Sequence, residues 1–231
     1  MSEPKPSAAP RNRFIARDLA CVRGGRLLFS GLGFTLSPGD VLALTGPNGS
    51  GKSSLLRLLA GLLPAARGTV EYPAETERLS YLGHGDGLKP LATVGESLAF
   101  WAKVGGPRPG APSAAAIGRA LGLFDLTALA ALPCRYLSAG QRRRVALARV
   151  LVTAAPLWLL DEPTTALDSA GTAAFGEALA AHSAAGGIAV VATHAPLTQP
   201  GAQSLELTDF IDPAMTIGDP FDPAPDIEAR P

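Results

Sequence analysis

The sequence predicts an α/β fold with a mainly parallel sheet and an inserted helical lobe. Three observations support this fold class: short apolar runs bounded by turn residues, helical spacing between those runs, and a stretch from about residue 85 to 150 that loses strand character. Strands that alternate with helices form a largely parallel sheet with helices on its faces. The predicted domain therefore covers residues 13–208 and contains the lobe as an insertion.

The predicted elements alternate regularly along this domain. Strands are predicted at Phe14–Ala20, Leu32–Leu36, Val41–Thr45, Leu79–Gly83, Leu157–Leu160, Ile188–Thr193 and Leu205–Leu207. Helices are predicted at Ser53–Gly61, Val94–Lys103, Ser113–Leu121, Gln141–Ala154 and Ser169–His182. The remaining segments, 1–12 and the acidic, Pro-rich 209–231, are predicted to be flexible tails.

The composition excludes several classes of protein. The 20 basic and 20 acidic residues balance, which does not predict a nucleic-acid surface. The two cysteines, Cys21 and Cys134, have no histidines at metal-ligand spacing, so neither a disulfide framework nor a zinc site is predicted. No stretch reaches the roughly 18 to 20 apolar residues that cross a bilayer. Any membrane association is therefore expected to come through a partner.

One segment fits the phosphate-binding pattern G-x-x-x-x-G-K-[ST], follows a predicted strand and opens a predicted helix. Its residues are Gly46, Pro47, Asn48, Gly49, Ser50, Gly51, Lys52 and Ser53. Glycines let backbone N–H groups surround phosphates, and the helix N-terminus adds partial positive charge. We predict that Lys52 reaches the β- and γ-phosphates and that the Ser53 hydroxyl ligates Mg²⁺. A Gly-rich turn that matches by chance is the alternative, but the flanking strand and helix favour the nucleotide site.

A second candidate group is the pair of carboxylates, Asp161 and Glu162, that follows the predicted strand Leu157–Leu160. Ligands of open α/β sheets bind at the carboxyl ends of the strands. Because side chains alternate along a strand, the two neighbours take different tasks. We predict that Asp161 holds the magnesium through its water shell and that Glu162 polarises the attacking water. An acidic pair that only marks a strand end is the alternative.

Three further segments resemble the ATP-binding cassette (ABC) family. Leu137–Gln141 resembles its LSGGQ signature, Thr165–Asp168 resembles its D-loop, and Thr193-His194 resembles the position of its switch histidine. Together with the two earlier motifs, the resemblance covers about residues 14 to 208. It implies a P-loop NTPase core of the ABC ATPase type that binds ATP and Mg²⁺ and hydrolyses ATP.

The resemblance also implies how the site is completed. In the family, the signature serves the ATP held by a second copy, so the chain is expected to form a head-to-tail homodimer with two buried ATPs. Ser138 and Gly140 would contact the ATP of the opposite copy, and His194 would bind the γ-phosphate and hold Glu162 and the water in line. Without this context, Ser138 is an ordinary helix N-cap and His194 a polar strand end.

The chain departs from the usual ABC pattern at three positions. His84 stands where the family usually has Gln, Ala139 where it usually has Gly, and Arg23 at the position of its adenine-stacking aromatic residue. Adenine is therefore expected to rest on the Arg23 guanidinium or to be held loosely. Whether His84 ligates magnesium stays open.

With these departures, the chain resembles the ATP-binding subunits of bacterial cytochrome c maturation haem exporters. The segments that carry this finer resemblance are Tyr81–His84, Gly87–Lys89 and Leu137–Arg144. It implies an ATPase on the cytoplasmic face of the bacterial inner membrane, bound to integral membrane permease subunits. Hydrolysis would be coupled to haem handling or to the release of a haem-loaded chaperone.

Other functions remain open at this stage. An ABC exporter ATPase for a lipid, drug or peptide would differ only in its membrane partner. A soluble ABC-type nucleic-acid or translation factor usually has two cassettes or a long coiled coil, and this chain has one cassette and no sustained heptads. A nucleotide sensor without turnover is disfavoured because Glu162 and His194 are both present.

Three consecutive arginines, Arg142, Arg143 and Arg144, follow the signature. Consecutive helical positions fan around the axis and cannot form one stripe that faces a nucleic-acid groove. We therefore predict a solvated helix start with one or two contacts to a second copy of the chain, and no nucleic-acid partner.

Overall fold

The computed structural model describes residues 12–73, 78–104, 114–194, 197 and 199–211. The predicted N-terminal tail lies outside the described residues except for residue 12. The predicted C-terminal tail lies outside them except for residues 209–211.

Strands and helices alternate through the described part of the chain. The strands are β1 (Phe14–Arg23), β2 (Arg26–Leu36), β3 (Val41–Thr45), β4 (Arg67–Glu71), β5 (Leu79–Leu82), β6 (Leu157–Asp161), β7 (Ile188–Ala192) and β8 (Gln203–Glu206). The α-helices are α1 (Lys52–Leu59), α2 (Val94–Val104), α3 (Ala114–Leu123), α4 (Ala139–Val152) and α5 (Ser169–Ala184). None of these helices combines the length and apolar character needed to span a bilayer.

The central sheet has five parallel strands in the order β5-β6-β7-β3-β8. Strands β6 and β7 are buried along their whole length. A strand covered on both faces carries a continuous apolar run instead of alternating polar residues. The mainly parallel sheet predicted from the sequence is therefore confirmed.

A separate antiparallel sheet, in the order β2-β1-β4, lies beside the parallel one. Gly24 and Gly25 join β1 to β2 and have φ values of 57° and 77°. A two-residue type I′ hairpin turn requires positive φ at both of these positions. Strand β2 begins earlier than the predicted start at Leu32, and β4 was not predicted. The segment Arg67–Glu71 that forms β4 is mostly exposed and carries no apolar run, so hydrophobic patterning does not reveal it.

The parallel sheet separates two hydrophobic cores. Along β6, Leu157 and Leu159 pack into one core, whereas Trp158 and Leu160 pack into the other, because successive strand residues face opposite sides. The first core joins the sheet to α1 and the antiparallel sheet. The second joins it to α5 and to the helices α2, α3 and α4, which lie between β5 and β6 in the chain.

Candidate active site

Strand register brings the two acidic residues beside the phosphate loop. Leu44 of β3 pairs with Ala192 of β7, and Ala192 pairs with Asp161 of β6. Because the strands are parallel, the loop after β3 and the turn after β6 emerge at the same edge. They share a cavity of about 450 Å³. Its lining residues are Leu28, Asn48, Gly49, Gly51, Lys52, Ser53, Ser54, His84, Asp161, Glu162, Thr165 and His194.

Glycines of the phosphate loop adopt backbone conformations that other residues rarely adopt, at Gly46 and Gly51 among others. Gly46 has a φ of 135°, and a Cβ there would lie 2.9 Å from Oγ of Ser50. Gly51 has a φ of 105° and forms the N-cap of α1, where its carbonyl accepts from the N–H of Leu55 at 2.8 Å. Side chains rarely adopt such backbone conformations. The glycines therefore shape the loop so that it passes directly into the helix.

Lys52 is the cation of the phosphate loop and is only 7% exposed. Its Nζ donates to the carbonyl oxygens of Gly46 at 2.6 Å and Pro47 at 3.2 Å, and lies 3.3 Å from Nε2 of His194. The ammonium is thus held inside the curve of the loop. A phosphate that enters this curve meets a positive charge already in place.

Asp161 and Ser53 provide hard oxygen ligands on the cavity wall. Asp161 is buried, and its Oδ2 has no hydrogen-bond partner among the described residues. These groups fit a Mg²⁺ ion, which is commonly bound through one or two carboxylates plus phosphate and water oxygens. The described residues contain no group of three or more His, Cys, Asp or Glu that could hold a metal. A magnesium ion bound by Asp161 and Ser53 would take its remaining ligands from phosphate and water oxygens.

Glu162 directly follows β6 and has a left-handed backbone, with φ at 48°. Its N–H donates to the carbonyl of Ala192 at 2.9 Å, which fixes the turn against β7. Its Oε1 is buried, has no hydrogen-bond partner among the described residues, and lies 3.2 Å from Nε2 of His194. An unusual backbone conformation and a carboxylate oxygen without a partner are typical of a functional position.

Comparison with known proteins identifies the family. The model of the ABC transporter family matches residues 29–165. The chain belongs to the ABC transporter family. It is also 52% identical over 206 residues to the "Cytochrome c biogenesis ATP-binding export protein CcmA" of Paramagnetospirillum magneticum, covering 85% of this chain and 94% of the relative. The protein of the same name from Rhodospirillum rubrum is 49% identical over 215 residues, covering 89% and 90%.

Solved structures agree with this ABC assignment. A putative ABC transporter ATP-binding protein from Pyrococcus furiosus has a TM-score of 0.75 at 22% identity, covering 86% of this chain and 98% of that one. An inward-facing putative metal-chelate type ABC transporter has a TM-score of 0.69 at 27% identity, covering 84% and 79%. The ABC ATPase fold expected from the sequence is therefore confirmed.

The ABC signature residues lie outside the cavity of their own chain. Ser138 caps α4: its Oγ accepts from the N–H of Gln141 at 3.2 Å, and the Gln141 side chain accepts from the N–H of Ser138 at 2.9 Å. Gly140 is tightly packed, since a Cβ there would lie 2.8 Å from the carbonyl oxygen of Ala166 in the D-loop. The N-cap interpretation of Ser138 is therefore correct within one chain, and it leaves the role toward a second copy as a prediction.

The adenine position is less well defined than the phosphate site. Arg23 is exposed at the end of β1, pairs with Arg26 across the hairpin, and does not line the cavity. Leu28, which the sequence analysis did not single out, lines it instead. Leu28 follows the Gly-Gly turn that places β2 beside β1, so finding the hairpin in the sequence would have drawn attention to it. The role of Arg23 toward adenine stays a prediction.

The prediction of a solvated start for α4 is wrong for two of the three arginines. The Arg143 side chain is 5% exposed and that of Arg144 is 16% exposed, whereas that of Arg142 is 41% exposed. The Nη2 of Arg144 donates to both carboxylate oxygens of Asp168, at 2.7 and 2.6 Å. The arginines fan around the helix as expected, but two of the three directions face protein because the turns after β6 and at the start of α5 pack there.

A larger cavity, of about 1150 Å³, lies at the opposite edge of the sheet, where β6 and β7 begin. Trp158 and His182 line it, with ring centroids 3.8 Å apart and planes 10° apart. The Nε2 atom of His182 lies 3.1 Å from the carbonyl of Ile188. This cavity contains neither the phosphate loop nor the acidic turn, so its size does not make it the active site.

Proposed function

We propose that the chain is the ATP-hydrolysing subunit of an ABC membrane complex for cytochrome c biogenesis. One observation carries this proposal: a single cavity is lined by residues of the phosphate loop together with Asp161, Glu162 and His194. The chain that forms this cavity is about half identical to proteins named cytochrome c biogenesis ATP-binding export proteins. The site residues support ATP hydrolysis, and the names of the relatives support a role in cytochrome c biogenesis.

The cavity supports a division of roles around MgATP. Lys52 and the loop N–H groups bind the phosphates, while Ser53 and Asp161 hold the magnesium. When bound, the metal neutralises charge on the phosphate oxygens. Glu162 orients a water molecule toward the γ-phosphate and accepts its proton, and His194 contacts the same phosphate from the neighbouring strand end.

The signature residues support a homodimer. Ser138 and Gly140 begin α4, whose N-terminus carries partial positive charge. They do not line the cavity of their own chain. A head-to-tail pair would bring this helix N-terminus to the ATP held by the other copy, so that two closed sites require two chains. Closing on ATP and opening after hydrolysis would then provide the motion that drives the membrane partner.

The resemblance to the family supports the membrane partner and the cargo that we propose. None of the helices in the described ranges can span a bilayer, so we assign the membrane path to separate permease subunits. We place the chain on the cytoplasmic face of the inner membrane, where ATP is available. The cargo is haem or a haem-loaded chaperone, by resemblance to the cytochrome c maturation exporters.

The test is an affinity pull-down from detergent-solubilised membranes. The bait is the Glu162→Gln variant with MgATP, because slow hydrolysis holds the dimer closed. The matched control is the Lys52→Ala variant under the same conditions. Recovery of cytochrome c maturation membrane subunits together with haem absorbance supports the proposal. Recovery of an unrelated permease would remove the haem assignment, and ribosomes or nucleic acid would contradict the membrane assignment.

A further inference from the structure

Arg143 is a buried arginine on α4 whose guanidinium contacts the turn after β6. We call this turn, residues 161–163, the catalytic turn. Its Nη2 donates to the carbonyl oxygens of Asp161 at 2.6 Å and Glu162 at 2.7 Å, and its Nε donates to that of Pro163 at 3.2 Å. Three consecutive carbonyls are thus bound by one guanidinium. These carbonyls belong to the residues assigned to magnesium and to the attacking water.

The same guanidinium also reaches the segment that follows β5. Its Nη1 donates to the carbonyl of Gly83 at 3.2 Å and pairs with Oδ1 of Asp86 at 3.3 Å. Between these two residues lies His84, which lines the nucleotide cavity. Arg143 therefore connects the catalytic turn to a second wall of the cavity, from a position five residues after the helix cap Ser138.

The chemistry of arginine suits this position better than that of lysine. A guanidinium is planar and presents five donors in a fixed fork, whereas an ammonium has three donors on a flexible chain. Glu162 has a left-handed backbone that its neighbours must stabilise. The two short bonds from Nη2 hold the carbonyls of the two peptide units that flank the Cα of Glu162, and so restrain the direction of the Glu162 side chain.

We propose that Arg143 is a positioning residue for hydrolysis, which holds the Asp161–Glu162 turn in line with the γ-phosphate and ties it to the segment Gly83–Asp86. This inference rests on the proposed ATPase function. Arg143 does not line the nucleotide cavity. Its loss should therefore affect the rate of the chemical step and leave nucleotide binding largely intact.

The test compares two buried arginines on α4. Arg149 is 7% exposed, donates to the carbonyl of Tyr81 at 3.2 Å and stacks over Trp101, and it makes no hydrogen bond to residues 161–163. Arg143→Lys and Arg149→Lys are assayed in the full chain, purified with the subunits that accompany it. We expect Arg143→Lys to lower kcat roughly 10- to 100-fold, because misplacing a reacting group by about 1 Å has an effect of this size. The KM for ATP should change less than about twofold.

Arg149→Lys should keep kcat within about twofold of the parent even where it lowers the Tm as much as Arg143→Lys does. Arg143→Met, which removes the charge and all five donors, should lower kcat further than Arg143→Lys. The inference is overturned if Arg143→Lys keeps the parental kcat, if it raises KM without changing kcat, or if both lysine variants lose kcat in parallel with Tm. A parent that binds ATP without hydrolysing it would instead contradict the proposed function, and the inference would fail with it.

Discussion

The Nζ of Lys52 lies 3.3 Å from Nε2 of His194 and donates toward it. An ammonium can only donate, so Nε2 acts as the acceptor and the imidazole proton is assigned to Nδ1. In that tautomer Nε2 cannot donate to Oε1 of Glu162, 3.2 Å away, in agreement with the absence of a hydrogen-bond partner for that oxygen among the described residues. If a bound phosphate draws Nζ of Lys52 away from Nε2 of His194, the imidazole can form a hydrogen bond with another group.

Replacing Lys52 should weaken nucleotide binding directly. Lysine-to-phosphate bonds are charge-assisted, so we expect Lys52→Ala to raise the Kd for MgATP roughly 10- to 100-fold. Isothermal titration calorimetry on the full chain measures this change. Lys103→Ala, at an exposed position on α2, is the matched control and should bind like the parent. Equal affinities for all three proteins would refute the assignment of the phosphate loop.

Replacing Glu162 should separate hydrolysis from binding. Glutamine keeps the shape of the side chain but cannot accept a proton, and a positioned base typically contributes about 10²- to 10⁴-fold. We therefore expect Glu162→Gln to lower kcat by at least about 100-fold while the Kd for MgATP stays within about twofold. Phosphate release and equilibrium binding are the two measurements. Glu71→Gln, on the exposed strand β4, serves as control, and a parental kcat in Glu162→Gln would show that another group acts as the base.

Sequence patterning predicted some parts of this molecule well and others poorly. Strand β3 was predicted with the observed bounds, because Val41–Thr45 is a short buried run followed directly by a phosphate-binding motif. Strand β4 and the first half of β2 were missed, since exposed edge strands and hairpins depend on turn geometry and pairing more than on apolar runs. The phosphate loop and the Asp161–Glu162 pair were found in the same way, because each is a short continuous motif that directly follows an apolar run.

The residues that support the site were harder to predict. Arg143 looked like one of three solvated arginines because its partners, four backbone carbonyls and the Asp86 carboxylate, lie 18 to 60 positions away in the chain. Carbonyls carry no sequence signature, so a buried guanidinium that binds them cannot be distinguished from an exposed one by residue type. Leu28 was overlooked because only the folded hairpin brings it to the cavity.

Capping boxes at α4 and at α2 allow the roles of Ser138 to be separated. Ser138 and Gln141 cap α4, and Thr93 and Glu96 make the same reciprocal bonds at α2, at 3.1 and 2.9 Å. Loss of either hydroxyl should lower the free energy of unfolding by about 1 kcal/mol. If Ser138 also serves the ATP of a second copy, Ser138→Ala should lower kcat at least about tenfold, whereas Thr93→Ala should not. Urea unfolding and ATPase assays measure both effects, and equal kcat values would limit Ser138 to its capping role.

His182 should make stability depend on pH at the opposite edge of the sheet. Burial lowers the pKa of His182 from its ordinary value of 6.5 to about 4, although the contact with the Ile188 carbonyl acts in the other direction. Between these two values the unfolded chain binds a proton that the folded chain does not, so the free energy of unfolding falls as the pH falls. The contribution of His182 is complete above about pH 6.5 and is lost near pH 4, with a maximum of about 3 kcal/mol.

His182→Phe keeps a ring beside Trp158 and removes the titrating group, so it isolates this effect from carboxylates that titrate in the same range. Urea unfolding at pH 7, 6, 5 and 4.5 should show a smaller loss of stability in His182→Phe than in the parent, with the difference growing as the pH falls. His84→Gln, which replaces an exposed histidine away from Trp158, is the control and should keep the parental slope. Parallel curves for the parent and His182→Phe would mean that the His182 imidazole reaches water and accepts its proton while the chain stays folded.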